Sequence, residues 1–230
     1  TNPDLIVVLW RLEELHPRLS WEIDSMNLEQ RRDECNALIG RVRKLVSAYS
    51  GDAQLFLSTI ALPIHWVGAL HDQHRIYGIA NIVCKFNTVL YEMAAENQIK
   101  IFDFAQWITH SGDIARDNKM DFFARQPIAK QWALSFADAF SKVIRPIVTP
   151  QAKVLAVDLD NIFWGGVLGE DGVENLKIGK DYPGVIYWRI QQLILALKHR
   201  GIILVLLSKN NLSDVKAAFN FLCEMPLKIT

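Results

Sequence analysis

Apolar residues recur along the chain in two patterns: short continuous runs of strand length, and longer stretches with one apolar residue every three or four positions. The short runs are typical of strands in a sheet that is covered on both faces, and the longer stretches are typical of amphipathic helices. Strands are predicted at 5–10, 54–61 and 99–104, helices at 28–49, 79–96 and 126–144, and a loop at 65–78. Asn27 and Gln30 form a predicted capping box for the first helix. This alternation of strand and helix predicts a parallel α/β sheet.

The alternation stops at a short segment between Pro146 and Pro150 and then starts again. The second half contains predicted strands at 153–157 and 202–207, predicted helices at 185–200 and 212–222, and a glycine-rich segment at 165–184. Gly201 is placed to end its helix in a left-handed conformation. The chain is therefore predicted to hold two Rossmann-like parallel-sheet units, a domain at 1–148 and a domain at 149–230.

Composition narrows the class of protein and its partners. The 230 residues have a net charge of zero, half of them are apolar, and 22% are charged. A neutral chain carries no general field that attracts nucleic acid or an acidic membrane surface, so neither is an expected partner. The three cysteines (Cys35, Cys84 and Cys223) are widely spaced, which favours reduced thiols in a cytoplasmic protein. No apolar run has the length of a membrane span, and no signal peptide is recognised.

Polar residues follow two predicted strands at the point where each ends. Asp158 and Asp160 come directly after the strand at 153–157, and Ser208 follows the strand at 202–207. Carboxyl ends of parallel strands meet at one edge of a sheet, where ligands bind. Two carboxylates beside a buried strand are costly unless a positive group lies between them. The pattern predicts a site for Mg²⁺ and a phosphoryl group.

The same residues suit phosphoryl transfer. Asp158 is placed to attack phosphorus, and Asp160 to exchange a proton with the leaving oxygen and with water. Ser208, together with the backbone amide of Lys209, is placed to donate hydrogen bonds to phosphoryl oxygens. Asn210 is a further phosphate-binding candidate. Either Asn210 or its neighbour Asn211 is also expected to cap the following helix.

The run at 158–172, with the sequence DLDNIFWGGVLGEDG, resembles the first motif of the haloacid-dehalogenase (HAD) superfamily. Its WGGVLGEDG part, together with SKNN at 208–211 as second motif, resembles the FkbH-like branch of that superfamily. Upstream, the segments PDLIVVL at 3–9 and FARQPI at 123–128 are similar to the SGNH-like domain that precedes the HAD domain in this family. The resemblance implies an SGNH-like partial domain at 1–148, followed by a partial HAD domain at 149–230.

Members of this family take a three-carbon unit from 1,3-bisphosphoglycerate, remove phosphate and deliver a glyceryl group to the thiol of an acyl carrier protein in polyketide and related metabolism. The resemblance implies that Asp158 is the nucleophile, that Asp160 is the acid/base and a magnesium ligand, and that Ser208 binds phosphate. It also implies Mg²⁺ as cofactor, and a phosphorylated three-carbon donor and an acyl carrier protein as partners.

The chain departs from this family in two respects. Ile162 stands where the family usually has threonine, so a hydroxyl is lost. The superfamily's later lysine and later acidic pair have no counterpart before Thr230. The sequence is therefore expected to be a fragment of a larger protein, cut at both ends, with an incomplete site of its own. Two other functions stay open, a non-catalytic module that docks a carrier protein and a phosphatase for small phosphoesters.

Several residues allow both a functional and a structural interpretation. Trp164 could contact substrate or pack the loop against the sheet, and Lys209 could reach a phosphate or lie exposed near the helix start. Arg125 could contact an anionic ligand or a carrier protein, or form a salt bridge. Glu170 and Asp171 are expected in a hairpin turn rather than at a metal.

Other chemistry-bearing residues of the first domain favour structural roles. The histidines at 65, 71 and 74 lack a cysteine or carboxylate cluster and are expected at the surface. His110 is not spaced from Asp113 and Asp117 as a hydrolase triad requires, so this domain is expected to bind or dock rather than hydrolyse. Trp132, Phe136 and Phe140 form a predicted core stripe.

Overall fold

The computed structural model describes residues 3–64, 69–96 and 98–228. Contacts divide the chain into two compact units, Thr1–Val148 and Thr149–Thr230. The division falls between the same two residues as the boundary drawn from the sequence. The α/β class predicted from the alternating pattern is confirmed, because every named strand pair in both units is parallel.

The first unit contains three strands and eight α-helices among its described residues. They are, in chain order, β1 (Leu5–Val8), α1 (Leu12–Leu15), α2 (Pro17–Trp21), α3 (Leu28–Ala48), β2 (Gln54–Ser58), α4 (Ala69–Gln73), α5 (Ile79–Ala95), β3 (Lys100–Phe102), α6 (Phe104–Ser111), α7 (Asn118–Ala124) and α8 (Ala133–Val148). Short 3₁₀ turns lie at Ile23–Ser25, Asp113–Ala115 and Lys130–Trp132. The strand order is β1-β2-β3.

The central strand β2 is the best buried, because it lies between two parallel neighbours and under helices. Leu57 pairs with Val8 of β1 and Ile101 of β3, and its side chain is fully buried. The core continues through the buried faces of α3 and α5, including Leu38 and Phe86. A second cluster joins α6 to α8 through Trp107 and the partly buried stripe of Trp132 and Phe136, and Phe140 meets Phe102 edge-to-face. The predicted stripe packs against the core as expected, but its three side chains are only partly buried.

Local side-chain bonds explain where the two long helices begin. The Asn27 side chain accepts a hydrogen bond from the Gln30 amide, and the Gln30 side chain accepts one from the Asn27 amide, each at 2.9 Å. The predicted capping box is confirmed. At α5, the buried carboxylate of Asp72 accepts hydrogen bonds from the amides of Ile79 and Ala80, at 2.7 and 3.0 Å. These bonds satisfy amides that lack partners within the helix.

Several predictions for the first unit were wrong in extent. The helix predicted at 126–144 begins at Ala133, because Ile128 pairs with Arg116 and the Ala129 amide donates to Ala115. It also continues through Pro146, so the predicted linker is partly helical. The predicted loop at 65–78 contains α4, and positions 65–68 lie outside the described residues.

The second unit contains two strands and three α-helices among its described residues. They are β4 (Val154–Asp158), α9 (Leu168–Asp171), α10 (Gly184–His199), β5 (Ile203–Leu207) and α11 (Leu212–Phe221), with a 3₁₀ turn at Val173–Asn175. β4 and β5 are parallel and in register from Val154 opposite Ile203 to Asp158 opposite Leu207. Gly201 has φ +91°, so it follows α10 in the left-handed region as predicted.

The core of the second unit forms around the loop that follows β4 and carries the motif at 158–172 (the motif loop), rather than around the strands. Phe163 and Trp164 are almost completely buried and contact Phe219 of α11. In contrast, Ile203, Val205 and Leu207 of β5 are exposed. The hairpin expected at 169–172 was wrong: Leu168–Asp171 is a helical turn, because the Glu170 and Asp171 amides both donate to the Val167 carbonyl.

The structure bears on two expectations drawn from the sequence, one on membrane-spanning segments and one on the state of the cysteines. No described helix combines the length and the apolar character that crossing a membrane requires. The three cysteines are free thiols, with Cys35 buried and Cys84 and Cys223 exposed. Burial raises the pKa of the Cys35 thiol.

Candidate phosphoryl-transfer site

The residues predicted to meet at the sheet edge lie at the ends of adjacent strands. Asp158 is the last residue of β4 and is paired with Leu207, the last residue of β5. Ser208 follows immediately, and Asp160 lies two residues beyond β4. Parallel pairing in this register thus places the carboxylates and the hydroxyl at one edge, where ligands of α/β sheets bind.

Asp160 is the most strongly held side chain of this edge. Its Oδ1 accepts hydrogen bonds from the indole Nε1–H of Trp164 at 3.2 Å and from the Leu168 amide at 3.0 Å. Its Oδ2 accepts one from the side-chain amide of Asn210 at 2.8 Å. An ionised carboxylate offers about four acceptor positions, so one remains for a proton, a water or a metal ion.

These donors also determine the charge of Asp160. Partial burial alone would raise the pKa of its carboxyl group, but the hydrogen bonds from Leu168, Asn210 and Trp164 outweigh that effect and lower the pKa below its ordinary value. Each donor stabilises the ionised form and not the protonated one. Asp160 is therefore a carboxylate at neutral pH.

Asn210 connects the two strand ends. Besides its bond to Asp160, its side-chain amide donates to Ser208 Oγ at 3.0 Å, and its backbone amide donates to the same oxygen at 3.1 Å. The structure therefore brings Asp160, Ser208 and Asn210 together, as the sequence predicted. Asn210 does not cap the helix: the residue before α11 is Asn211, whose side chain makes no capping bond.

Asp158 has a different environment. One of its oxygens accepts a hydrogen bond from the Leu159 amide at 2.8 Å. Within the described ranges its other oxygen has no hydrogen-bond partner, and the residue is exposed. A carboxylate with one fixed and one open oxygen can approach a cation or a phosphorus atom. This arrangement matches what a nucleophile needs, but the roles of both aspartates stay predictions.

The loop between the strands is fixed by its own polar contacts. Asn161 has φ +57°, and its side chain accepts a hydrogen bond from the Gly166 amide at 3.0 Å. Asp171 accepts one from the Val167 amide at 2.7 Å. Gly165 lies against the Tyr187 ring, where a Cβ would come within 2.5 Å of a ring carbon. Gly165 is therefore required for packing, and Gly166, at φ +107°, adopts a backbone conformation that favours glycine. The loop so fixed holds the Leu168 amide on Asp160.

Three other predicted residues have distinct positions. Trp164 is fully buried and bonded to Asp160, so the packing interpretation is supported and a direct contact with a ligand is not. Lys209 is exposed, and no described residue forms an ion pair or hydrogen bond with it. Arg125 belongs to the first unit, where it is exposed and has no salt bridge with any described residue.

The histidines give no alternative centre. His71 and His74 are exposed, as expected, whereas His65 lies outside the described residues. Over 3–64, 69–96 and 98–228, no three histidine, cysteine or acidic side chains converge to hold a metal.

Gln191 supports the site and was missed by the sequence reasoning. It is fully buried on α10, where its Nε2–H donates to the Phe163 carbonyl at 2.8 Å and its Oε1 accepts from the Leu227 amide at 3.3 Å. The sequence did contain a sign of this role. Gln191 lies three residues from both Trp188 and Ile194, on a face of α10 that is otherwise apolar. A polar residue at such a position is retained when it satisfies buried backbone groups.

The oxygen donors of this edge fit Mg²⁺. Mg²⁺ prefers oxygen ligands, and in phosphoryl-transfer sites it is held by one or two carboxylates while water and substrate phosphate complete its shell. Asp158 offers an open carboxylate oxygen, and Asp160 has one acceptor position left. Asp158 is the better ligand of the two because fewer donors compete for it.

The chain is an α/β protein with parallel sheets. In its second unit, polar side chains gather at the carboxyl edge of the sheet, where α/β proteins bind ligands. No family model and no curated protein matches the chain. Among solved structures, it is similar to the N-terminal part of the protein BF1531 from Bacteroides fragilis, which contains a phosphatase domain complexed with Mg. The TM-score is 0.81 at 23% identity, over 99% of this chain and 60% of that chain. The likeness establishes the fold, and the chain spans 60% of the matched chain.

Proposed function

We propose that the second unit forms the magnesium-dependent site of a HAD-type phosphohydrolase, with Asp158 as its nucleophile. The observation that supports this most is the open carboxylate oxygen of Asp158 beside the bonded set of Asp160, Asn210 and Ser208, all at the carboxyl edge of two parallel strands. The phosphatase domain of the similar Bacteroides fragilis protein, which binds Mg, adds support.

In the proposed reaction, the open oxygen of Asp158 attacks phosphorus and the bond from phosphorus to the leaving oxygen breaks. The leaving oxygen takes up a proton from solvent water, and a water molecule then attacks the aspartyl-phosphate, which returns the carboxylate and releases phosphate. Bound Mg²⁺ would supply positive charge between the carboxylate and the phosphoryl oxygens. Ser208 and the amide of Lys209 would donate hydrogen bonds to those oxygens.

Asp160 suits the second half of this reaction better than the first. Its three donors favour the ionised form, which can accept a proton from the attacking water. Donation of a proton to the leaving oxygen requires a protonated carboxyl group, which the same donors disfavour. We therefore assign Asp160 as the base of the hydrolytic step.

A thermal-stability experiment tests the proposal. Mg²⁺ with beryllofluoride, a mimic of a phosphoryl group on a carboxylate, is expected to raise the melting temperature, because binding to the folded state stabilises it by about 2.7 kcal/mol at 100 times the dissociation constant. Asp158→Asn should abolish the shift. Asp181→Asn, which removes an exposed carboxylate of the same unit, should keep it. Equal shifts in both variants would refute Asp158 as the nucleophile.

The finer proposal concerns substrate and partner. The DLDNIFWGGVLGEDG and SKNN motifs support a cytoplasmic enzyme of the FkbH-like kind, which takes a phosphorylated three-carbon donor and delivers a glyceryl group to an acyl carrier protein. Phosphate release from 1,3-bisphosphoglycerate that requires carrier-protein thiol, with a glyceryl thioester formed, is the expected result. Phosphate release without carrier protein would favour a small-molecule phosphatase. Carrier binding with no Mg²⁺–beryllofluoride shift would favour a docking module.

A further inference from the structure

The first unit contains a cavity of about 380 Å³ at the carboxyl ends of its three strands. Leu9 and Trp10 line it directly after β1, Ser58 lines it as the last residue of β2, and Phe104 lines it just after β3. Ligand sites of α/β sheets occupy this position, and small-molecule cavities have volumes of about 300–1,000 Å³. The cavity belongs to the first unit alone and is separate from the aspartates of the second.

The inner wall is apolar and held in place. Trp10 is buried, and its indole Nε1–H donates to the Ser58 carbonyl at 2.6 Å, so the polar end of the ring is satisfied. Phe136 of α8 packs edge-to-face against Phe104 and adds a second aromatic surface. These fixed rings offer contact to the body of an apolar molecule at little cost in side-chain entropy.

A buried hydroxyl lies in this wall. Ser58 is 1% exposed, and its Oγ accepts a hydrogen bond from the Trp10 amide at 3.3 Å. A hydroxyl can also donate one hydrogen bond. Among the residues that the structure describes, none accepts a bond from Ser58 Oγ. Buried polar groups normally have hydrogen-bond partners, and this hydroxyl has no acceptor among the described residues. Its hydrogen is therefore available to an oxygen atom within the cavity.

The rim carries two arginines with different environments. The Arg11 guanidinium is neutralised by Asp121 and by Glu14, whose oxygen lies 2.6 Å away. Arg125 also lines the cavity but forms no ion pair with any residue of the described ranges. An anion that enters the cavity would therefore meet a guanidinium that no carboxylate already occupies.

The backbone of Arg125 gives an independent indication. Arg125 ends α7 in the left-handed region, at φ +57° and ψ +34°, and its amide donates to the Asp121 carbonyl. Glycine and asparagine are the usual residues there, because a larger side chain is strained in this conformation. Strained residues of this kind concentrate at ligand sites. The conformation fixes the base of the Arg125 side chain at the cavity rim.

We propose that this cavity binds a small organic anion, with an apolar body between Trp10 and Phe136 and, at the rim, a carboxylate or phosphate that Arg125 recognises. The site does not depend on the function proposed for the second unit. Its geometry defines the ligand by chemical class, since one side of the cavity is aromatic and Arg125, at the rim, forms no ion pair with a described residue.

The test is an NMR titration of the full chain that follows the Trp10 indole N–H. The probes are 3-phenylpropionate and its neutral analogue 3-phenylpropan-1-ol. The carboxylate should shift this resonance saturably and bind about tenfold more tightly than the alcohol, the preference expected for a charge-assisted bond to arginine. Arg125→Gln should remove that preference and leave alcohol binding unchanged. Lys119→Gln, which removes an exposed cation of the same helix outside the cavity lining, should change neither.

Arg125→Gly separates binding from folding. Glycine suits the left-handed conformation, so the melting temperature should stay the same or rise while carboxylate binding falls as in Arg125→Gln. The proposal is overturned if the two probes bind equally to the wild type, if Arg125→Gln keeps the preference, or if no saturation occurs by about 10 mM. Shifts confined to the second unit would overturn it as well.

Discussion

Gln191 provides the most quantitative test of how the second unit holds its site. Replacement by leucine keeps the size of this fully buried side chain but leaves the Phe163 carbonyl and the Leu227 amide without their bonds of 2.8 and 3.3 Å. Each unpaired buried group costs about 1–3 kcal/mol, and the more apolar side chain offsets about 1–2 kcal/mol. The two groups together cost about 2–6 kcal/mol, so the expected net loss is about 1–4 kcal/mol.

Hydrogen exchange of the amides at 163–168 measures this loss within the second unit. A loss of about 1–4 kcal/mol predicts exchange roughly 5- to 900-fold faster where exchange reports the opening free energy. Gln192→Leu is the matched control, because Gln192 is exposed on the same helix, and it should change exchange less than about threefold. Equal exchange in the two variants would show that the buried amide does not hold the motif loop.

Three further changes test the charges and bonds of the two units. Asp160→Asn should lower the free energy of unfolding most near neutral pH, because a carboxyl group with a lowered pKa stabilises the fold when it is ionised. The difference in unfolding free energy between wild type and variant should narrow as the pH falls through the lowered pKa of Asp160. Urea unfolding from pH 7 to 3 measures this difference, and a constant value would contradict the prediction. Trp164→Phe should lower the opening free energy of the second unit by about 2–3 kcal/mol, because it removes a hydrogen bond to a carboxylate and leaves a smaller buried ring. Hydrogen exchange measures this loss, and no loss would show that the indole hydrogen bond contributes nothing. Burial and the hydrogen bond to Asp103 raise the pKa of Tyr91 to about 12. The wild type should therefore lose stability between about pH 10 and 12 relative to Tyr91→Phe. Parallel curves of unfolding free energy against pH for the two proteins would refute this.

The sequence predicted elements whose signals are local. The Asn27–Gln30 capping box, the glycine after α10 and the strand cores all depend on neighbouring residues, and each is present. The meeting of Asp160, Ser208 and Asn210 was also predictable, because parallel strand order brings carboxyl ends to one edge.

Elements fixed by distant partners were missed. The start of α8 depends on pairing between Arg116 and Ile128, which lie on either side of α7. The role of Gln191 depends on a carbonyl 28 residues earlier. The position of Asn210 depends on a choice between a cap and a carboxylate partner, and the carboxylate 50 residues away binds its side chain. Sequence periodicity carries no information about such contacts.

If Asp158 receives a phosphoryl group at the edge of β4 and β5, ¹⁹F NMR with Mg²⁺ and beryllofluoride should detect the mimic bound there. A bound beryllofluoride signal is expected in the wild type and in Asp181→Asn, and none is expected in Asp158→Asn. A bound signal that persists in Asp158→Asn, or no bound signal in the wild type, would contradict it.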